Sequence, residues 1–147
     1  MLANQFIERV TSMKYLGLIF DSNLSWHNHI DHTAEKISKS INIMVKVKRC
    51  LGTKTLLSIY YSLIYPCLSY SCQLWGNNYS STLDSLVKLQ NKAVRIINNV
   101  PLCDHITPHY VNLNLLKLSD IVKLHTRFLF YDLIHNSNTT KYNLSMV

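Results

Sequence analysis

At 147 residues, the chain is long enough for one domain, or one domain and a fragment, with a core that hides roughly two-thirds of its unfolded surface. Apolar residues at 48% and charged residues at only 16% exclude a disordered or tail-like polymer. Fifteen Lys and Arg against eight Asp and Glu leave a net charge of +7, which favours an anionic partner, nucleic acid being the commonest.

From the N-terminus, residues 4–20 read as a β-hairpin, with a strand around Phe6–Val10, a turn at Thr11-Ser12 and a second strand over Lys14–Phe20. Gly17 interrupts the second strand, which suggests a bulge or the close approach of another backbone. Asp21, Ser22 and Asn23 supply turn chemistry, and Ser25 is the expected N-cap of the helix that follows Trp26. Two strands alone are marginal in water, so this hairpin is expected to lean on something else.

Residues 25–51 turn helical, with Ile30, Ala34, Ile37, Ile41 and Met44 forming one apolar stripe. Lys36, Lys39, Lys46 and Arg49 project onto a different arc, and Gly52 is the expected C-terminal stop. Thr53 is placed as the cap of a second helix through Leu56, Leu57, Tyr60, Leu63 and Ile64. From Thr55 to Leu83 there is no charge, which raises the question of a membrane span. Pro66 and the polar Ser58, Ser62, Ser69, Ser71 and Gln73 argue instead for the buried centre of a helical bundle, kinked or broken at Pro66, and no membrane is expected.

Trp75-Gly76-Asn77-Asn78 reads as a loop, and Ser81 with Asp84 as a capping-box-like start. The helix from there to about Asn99 has Leu86, Leu89, Ala93, Ile96, Ile97 and Val100 on one face. Lys88, Asn91, Lys92, Arg95 and Asn99 occupy the other, and Pro101 ends it. Ser119-Asp120 caps a last helix with Ile121, Leu124, Phe128 and Tyr131 inward, and past Asn136 the polar tail is expected to fray. The fold class is therefore mainly α, a helical bundle with a small N-terminal β-hairpin.

Chemistry-bearing clusters are sparse. The cysteines (Cys50, Cys67, Cys72, Cys103) include no Cys-x-x-Cys pair, so reduced thiols in an intracellular protein, nuclear or cytoplasmic, are expected. Gln5, Glu8 and Arg9 interrupt any secretory apolar region. His27, His29, Asp31 and His32 lie close together, but only His29/His32 has helical ligand spacing, and Cys103, His105 and His109 lack a second cysteine nearby, so no metal site is assigned. Six Lys/Arg and no acid lie between Lys36 and Leu83, and Lys88, Lys92 and Arg95 add a second basic face. Rows of cations suit a phosphate backbone. The aromatics Tyr60, Tyr61, Tyr65, Tyr70 and Trp75 are helix-spaced, which favours core packing over base stacking.

Lys14-Tyr15-Leu16-Gly17, two apolar residues before Asp21, then Leu24, Trp26 and His29-Ile30 resemble the end of the reverse transcriptase domain of LINE-type, jockey-like non-LTR retrotransposons. The run Leu56 to Pro66, then Leu68-Ser69-Tyr70, Trp75-Gly76, Leu89-Gln90, Lys92-Ala93, Arg95-Ile96-Ile97 and Asp104-His105 with Pro108, is similar to the downstream block of the same family. Ile106-Thr107-Pro108 departs from the usual Thr-Ala-Pro. The resemblance covers about residues 4–135. It implies a division into a primer-side hairpin at the palm edge (1–22), a thumb-like helical bundle (23–100), a helical extension (101–136) and a polar tail (137–147). It places Lys14, Tyr15 and Gly17 near the primer end; together with the aligned cations Lys36, Lys39, Lys46, Arg49, Lys88, Lys92 and Arg95, inferred as phosphate contacts, they make the expected nucleic-acid-binding set, with RNA/DNA template–primer and, if supplied, the missing palm as partners. No two of Asp21, Asp31, Asp84, Asp104, Asp120 and Asp132 are adjacent, and no Gly-rich phosphate loop is present. No catalytic residue is therefore assigned, this fragment is expected to be inactive alone, and the magnesium of the full-length family has no expected holder here. The alternative is a decayed or co-opted remnant acting as a helical protein-interaction module.

Overall fold

The computed structural model describes the backbone of residues 10–101 and 104–143, and side chains as far as His135. Two strands, β1 (Ser12–Tyr15) and β2 (Leu18–Asp21), pair antiparallel and precede seven helices, α1 (His27–Val47), α2 (Thr53–Ile59), α3 (Tyr65–Ser69), α4 (Cys72–Trp75), α5 (Ser80–Asn98), α6 (Thr107–Asn112) and α7 (Leu118–Asn143). A π-helical turn over Tyr60–Ile64 joins α2 to α3. The fold class is the expected one, a helical bundle with a hairpin at its edge.

The hairpin turn lies at Leu16-Gly17, not at Thr11-Ser12, and its register pairs Tyr15 with Leu18 and Ser12 with Asp21. The segment read as one strand over Lys14–Phe20 is thus folded back on itself, while the strand expected at Phe6–Val10 falls mostly outside the described residues. Leu16 (φ 47) and Gly17 (φ 82) are both left-handed, as a two-residue turn matched to strand twist requires. Leucine is an unusual occupant of that position, so the turn is not advertised by its residues. Leu18 is buried and Phe20 half-buried against α1, whereas β1 is exposed throughout.

Between β2 and α1 the chain is held by Asp21 rather than by Ser25. The Asp21 carboxylate accepts the backbone N–H groups of Asn23 (3.1 Å), Ser25 (2.9 Å) and Trp26 (3.0 Å), and the Ser25 hydroxyl (3.0 Å). These bonds hold Leu24 and Trp26 in left-handed conformations, which side chains resist. They also keep the carboxyl below its ordinary range, the Ser25 amide contributing most.

α1 buries His29, Ile30, Thr33, Ile37, Ile41 and Met44, the anticipated stripe with two polar members added. It packs on β2, the π-turn, α3 and α5. α1 ends at Val47, so Gly52 is not its stop but the residue preceding α2, and Thr53 makes no cap hydrogen bond. Pro66 is accommodated rather than breaking the path. The amide of Tyr65 reaches back five residues to the Tyr60 carbonyl, and the widened turn places Pro66 at the start of α3, where its missing N–H costs nothing.

α5 begins at Ser80 with no side-chain cap, so the Ser81/Asp84 box does not form. It ends at left-handed Asn99, with the Val100 amide bonded to the Arg95 carbonyl (3.1 Å), a Schellman-type closure. Leu86, Ala93, Ile96 and Ile97 are buried as the spacing predicts, together with Val94 and Gln90. Gln90 is 1% exposed. Its Nε2 donates to the Tyr60 hydroxyl (2.9 Å) and the Leu116 carbonyl (2.9 Å), and its Oε1 accepts the Leu118 amide (2.9 Å). The first amide of α7 is thus capped from another helix, not by Ser119-Asp120. Burial raises the Tyr60 hydroxyl to about 12.

Of the α7 residues expected inward, Ile121 is buried, but Leu124, Phe128 and Tyr131 are exposed, because the bundle ends near Val122 while the helix continues. The helix also runs through the segment expected to fray, as far as Asn143. Among the described residues no helix is long and apolar enough to cross a membrane.

Candidate nucleic-acid interface

Four rings connect the hairpin to the bundle. Phe20 lies 5.2 Å from Trp26, Trp26 6.1 Å from His29, and His29 5.8 Å from Trp75, centroid to centroid. The Asn78 side-chain amide donates to the Ser25 carbonyl (2.7 Å), which ties the turn after α4 to the turn before α1. The Trp75 indole donates to the Tyr70 carbonyl (3.1 Å), and the Tyr70 hydroxyl donates to the Leu16 carbonyl (2.5 Å). Segments read separately in the sequence, 14–30 and 70–78, therefore form one structural unit. Tyr60 and Trp75 are core residues, as their spacing suggested, while Tyr61 and Tyr70 are exposed.

Of the expected binding residues, Lys14, Lys36 and Lys39 come together. All three cations act on His32, whose pKa is lowered first by burial, then by Lys36 and Lys14, with Lys39 smaller and Glu35 the one carboxylate opposing them. Each of the three side chains is exposed. Tyr15 is exposed beside the turn, and Gly17 forms the rim of a cavity of about 250 Å³ that it shares with His29, Thr33 and Lys36.

The remaining cations lie elsewhere. Lys46 sits in the last turn of α1, about 15 Å along the axis from Lys36 at 1.5 Å per residue. Arg49 lies past the helix end, where it lines a cavity of about 260 Å³ with Lys48, Gly52, Thr53 and Asn99. Lys88 and Lys92 are exposed on the outward arc of α5. Arg95 is half-buried and donates to the Asp104 carbonyl (3.3 Å), so it fastens the connector after α5.

Among the described residues the one ion pair is His109 with Asp104, at 3.5 Å. Among the described residues no carboxylate pairs with a lysine of the expected set. No group of three or more His, Cys, Asp or Glu among the described residues is arranged to hold a metal ion. His29 is instead a buried ring whose Nδ1 faces the Ile19 amide at 3.5 Å, and burial lowers its pKa.

Sequence reasoning missed His29 and Thr33 as neighbours of the basic group. The spacing was the available signal, four residues from His29 to Thr33 and three from Thr33 to Lys36, since such positions share a helix face.

No protein-family model matches the chain, and no solved structure does. Curated relatives do. A probable RNA-directed DNA polymerase from the transposon BS of Drosophila melanogaster is 23% identical over 128 residues, covering 85% of this chain and 14% of the relative. The RNA-directed DNA polymerase from the mobile element jockey of the same species is 30% identical over 105 residues, 68% of this chain and 11% of the relative. A probable RNA-directed DNA polymerase from its transposon X-element is 23% identical over 123 residues, 82% and 14%. The chain spans only 11% to 14% of the length of these relatives. Over that span, the chain belongs to the family of jockey-like non-LTR retrotransposon RNA-directed DNA polymerases.

Proposed function

We propose that this chain grips the sugar–phosphate backbone of an RNA/DNA template–primer, as the primer-side hairpin (1–22) and thumb-like bundle (23–100) of a reverse transcriptase, with the helices beyond as an extension. The observation that carries the reading is that Lys14 of the hairpin and Lys36 and Lys39 of α1 all lie within electrostatic reach of His32, exposed and, among the described residues, without a carboxylate partner. Cations held by rigid elements and left without carboxylates attract phosphates through counterion release, without regard to base sequence. Lys46, Lys88 and Lys92 extend the same chemistry along α1 and α5. The chemistry of polymerisation and its magnesium ions would be supplied by the palm, the second partner in this reading.

The experiment is binding of the full chain to an RNA–DNA hybrid, comparing wild type with Lys36→Glu/Lys39→Glu. The reading expects at least a tenfold loss, and equal affinities would overturn it.

A second reading, a co-opted protein-interaction module, draws on the exposed apolar residues Met13 (51%), Tyr15 (59%) and Leu16 (71%) at the hairpin. It expects a specific oligomer or protein partner and no oligonucleotide binding, which size-exclusion with and without the hybrid separates.

A further inference from the structure

We propose that the cavity between the hairpin turn, the first half of α1 and α3 is a phosphate-oxyanion site, with Thr33 and the His29 ring as ligands beside Lys36. The assignment deepens the backbone-binding reading and rests on it for the source of the phosphate.

Three donors line one wall. His29, Thr33 and Lys36 are stacked along a single face of α1 and all border the cavity. Thr33 is 5% exposed, yet its hydroxyl has no hydrogen-bond partner among the described residues. That hydroxyl is not one of the sealed, unpartnered side-chain atoms of the core, so it stays open to a ligand through the cavity it borders. The neutral His29 ring accepts the Ile19 amide at Nδ1, so its proton sits on Nε2, which has no protein partner among the described residues. Lys36 supplies the positive charge, and among the described residues no carboxylate borders the space. Two neutral donors and one cation on a common wall complement an anion with several acceptor oxygens.

The opposite wall is unreactive in this sense. Pro66 has no N–H, Cys67 donates its thiol proton to the Leu63 carbonyl, and the Tyr70 hydroxyl is committed to Leu16. Burial raises the Cys67 thiol further, which keeps it neutral and uncompetitive with the anion. At the rim, Gly17 adds no side chain to the mouth. A volume near 250 Å³ admits a phosphate with part of its sugar, not a base pair.

The test is an amide-resolved NMR titration of the full chain with three probes, inorganic phosphate, a nucleoside 5′-monophosphate and a short single-stranded oligonucleotide without a terminal phosphate. The expected result is saturable shifts at Gly17, Thr33 and Cys67, weakened about tenfold by Thr33→Val, the loss expected for one hydrogen bond to a charged group. Thr33→Ser, which keeps the hydroxyl, retains the affinity and controls for packing. Saturation by the monophosphate assigns a terminal phosphate, and saturation only by the oligonucleotide assigns an internal phosphodiester; both support the site. Shifts scattered over exposed lysines, with Thr33→Val equal to wild type, overturn it, even where the hybrid still binds through Lys39, Lys88 and Lys92. Saturation at Thr33 by a monophosphate, with no hybrid affinity, keeps the site and overturns the backbone reading instead.

Discussion

The hydroxyl of Tyr70 donates to the carbonyl of Leu16, 54 residues earlier in the chain, and this bond fastens the hairpin turn to α3. A two-stranded hairpin has little stability of its own, so its position depends on such anchors. Tyr70→Phe removes the donor at an exposed site and is expected to cost about 1 kcal/mol locally. Hydrogen exchange of the Leu18–Asp21 amides is expected to accelerate while α5 amides are unchanged. Uniform acceleration across both would show that the bond supports the whole bundle.

Asp21 gives the region a pH dependence of defined sign. Its folded pKa is depressed below the ordinary 3.8 by the Ser25 amide first, and by further donors from the same turn. The stabilisation it confers is therefore fully present above that value and is lost as pH falls through the lowered folded pKa. Asp21→Asn is expected to remove this acid transition and to loosen the Trp26 turn at neutral pH. The check is a carboxyl-resolved NMR titration, in which a midpoint at or above 3.8 contradicts the hydrogen-bond account.

Gln90 is the polar residue most fully enclosed by the core, joining α5 to Tyr60 and to the start of α7. Gln90→Leu leaves the Leu118 amide and the Leu116 carbonyl without their partner, at a cost of about 3 kcal/mol. Thermal unfolding is expected to drop by several degrees. An unchanged midpoint would show that water replaces the amide.

Gly76 follows Trp75 where α4 meets α7. A Cβ there would overlap a methyl group of Val122 and the Cys72 carbonyl oxygen. Because the obstacle is partly backbone, Gly76→Ala is expected to destabilise by about 1–3 kcal/mol, as overpacking does. Val122→Ala in the same chain is expected to restore part of the loss, and a double variant no more stable than Gly76→Ala would point to the carbonyl alone.

What the sequence made legible follows from periodicity. Ile30, Ile37, Ile41 and Met44 on α1, and Leu86, Ala93, Ile96 and Ile97 on α5, are buried where a 3.6-residue repeat puts them. The hairpin turn was misplaced because Leu16 carries no turn signature, while Thr11-Ser12 carries a weak one. The Ser25 and Ser119-Asp120 caps do not form; the helix starts are held instead at neighbouring amides, Trp26 by the Asp21 carboxylate and Leu118 by the Gln90 side-chain oxygen. Leu124, Phe128 and Tyr131 repeat like core residues, but a local repeat does not record where the neighbouring helices stop. Within the candidate site, charge was visible in the chain, and the meeting of Lys14 with Lys36 and Lys39 was not, since it depends on how the hairpin folds over α1.

The central claim is that unpaired cations on the hairpin and on α1 take hold of phosphates, and its most direct measure is the salt dependence of hybrid binding. The account predicts that log K falls linearly with log salt, and that replacing Lys36 and Lys39 together by Gln makes the slope shallower by roughly two. A wild-type affinity indifferent to salt, or a slope untouched by those replacements, would contradict it.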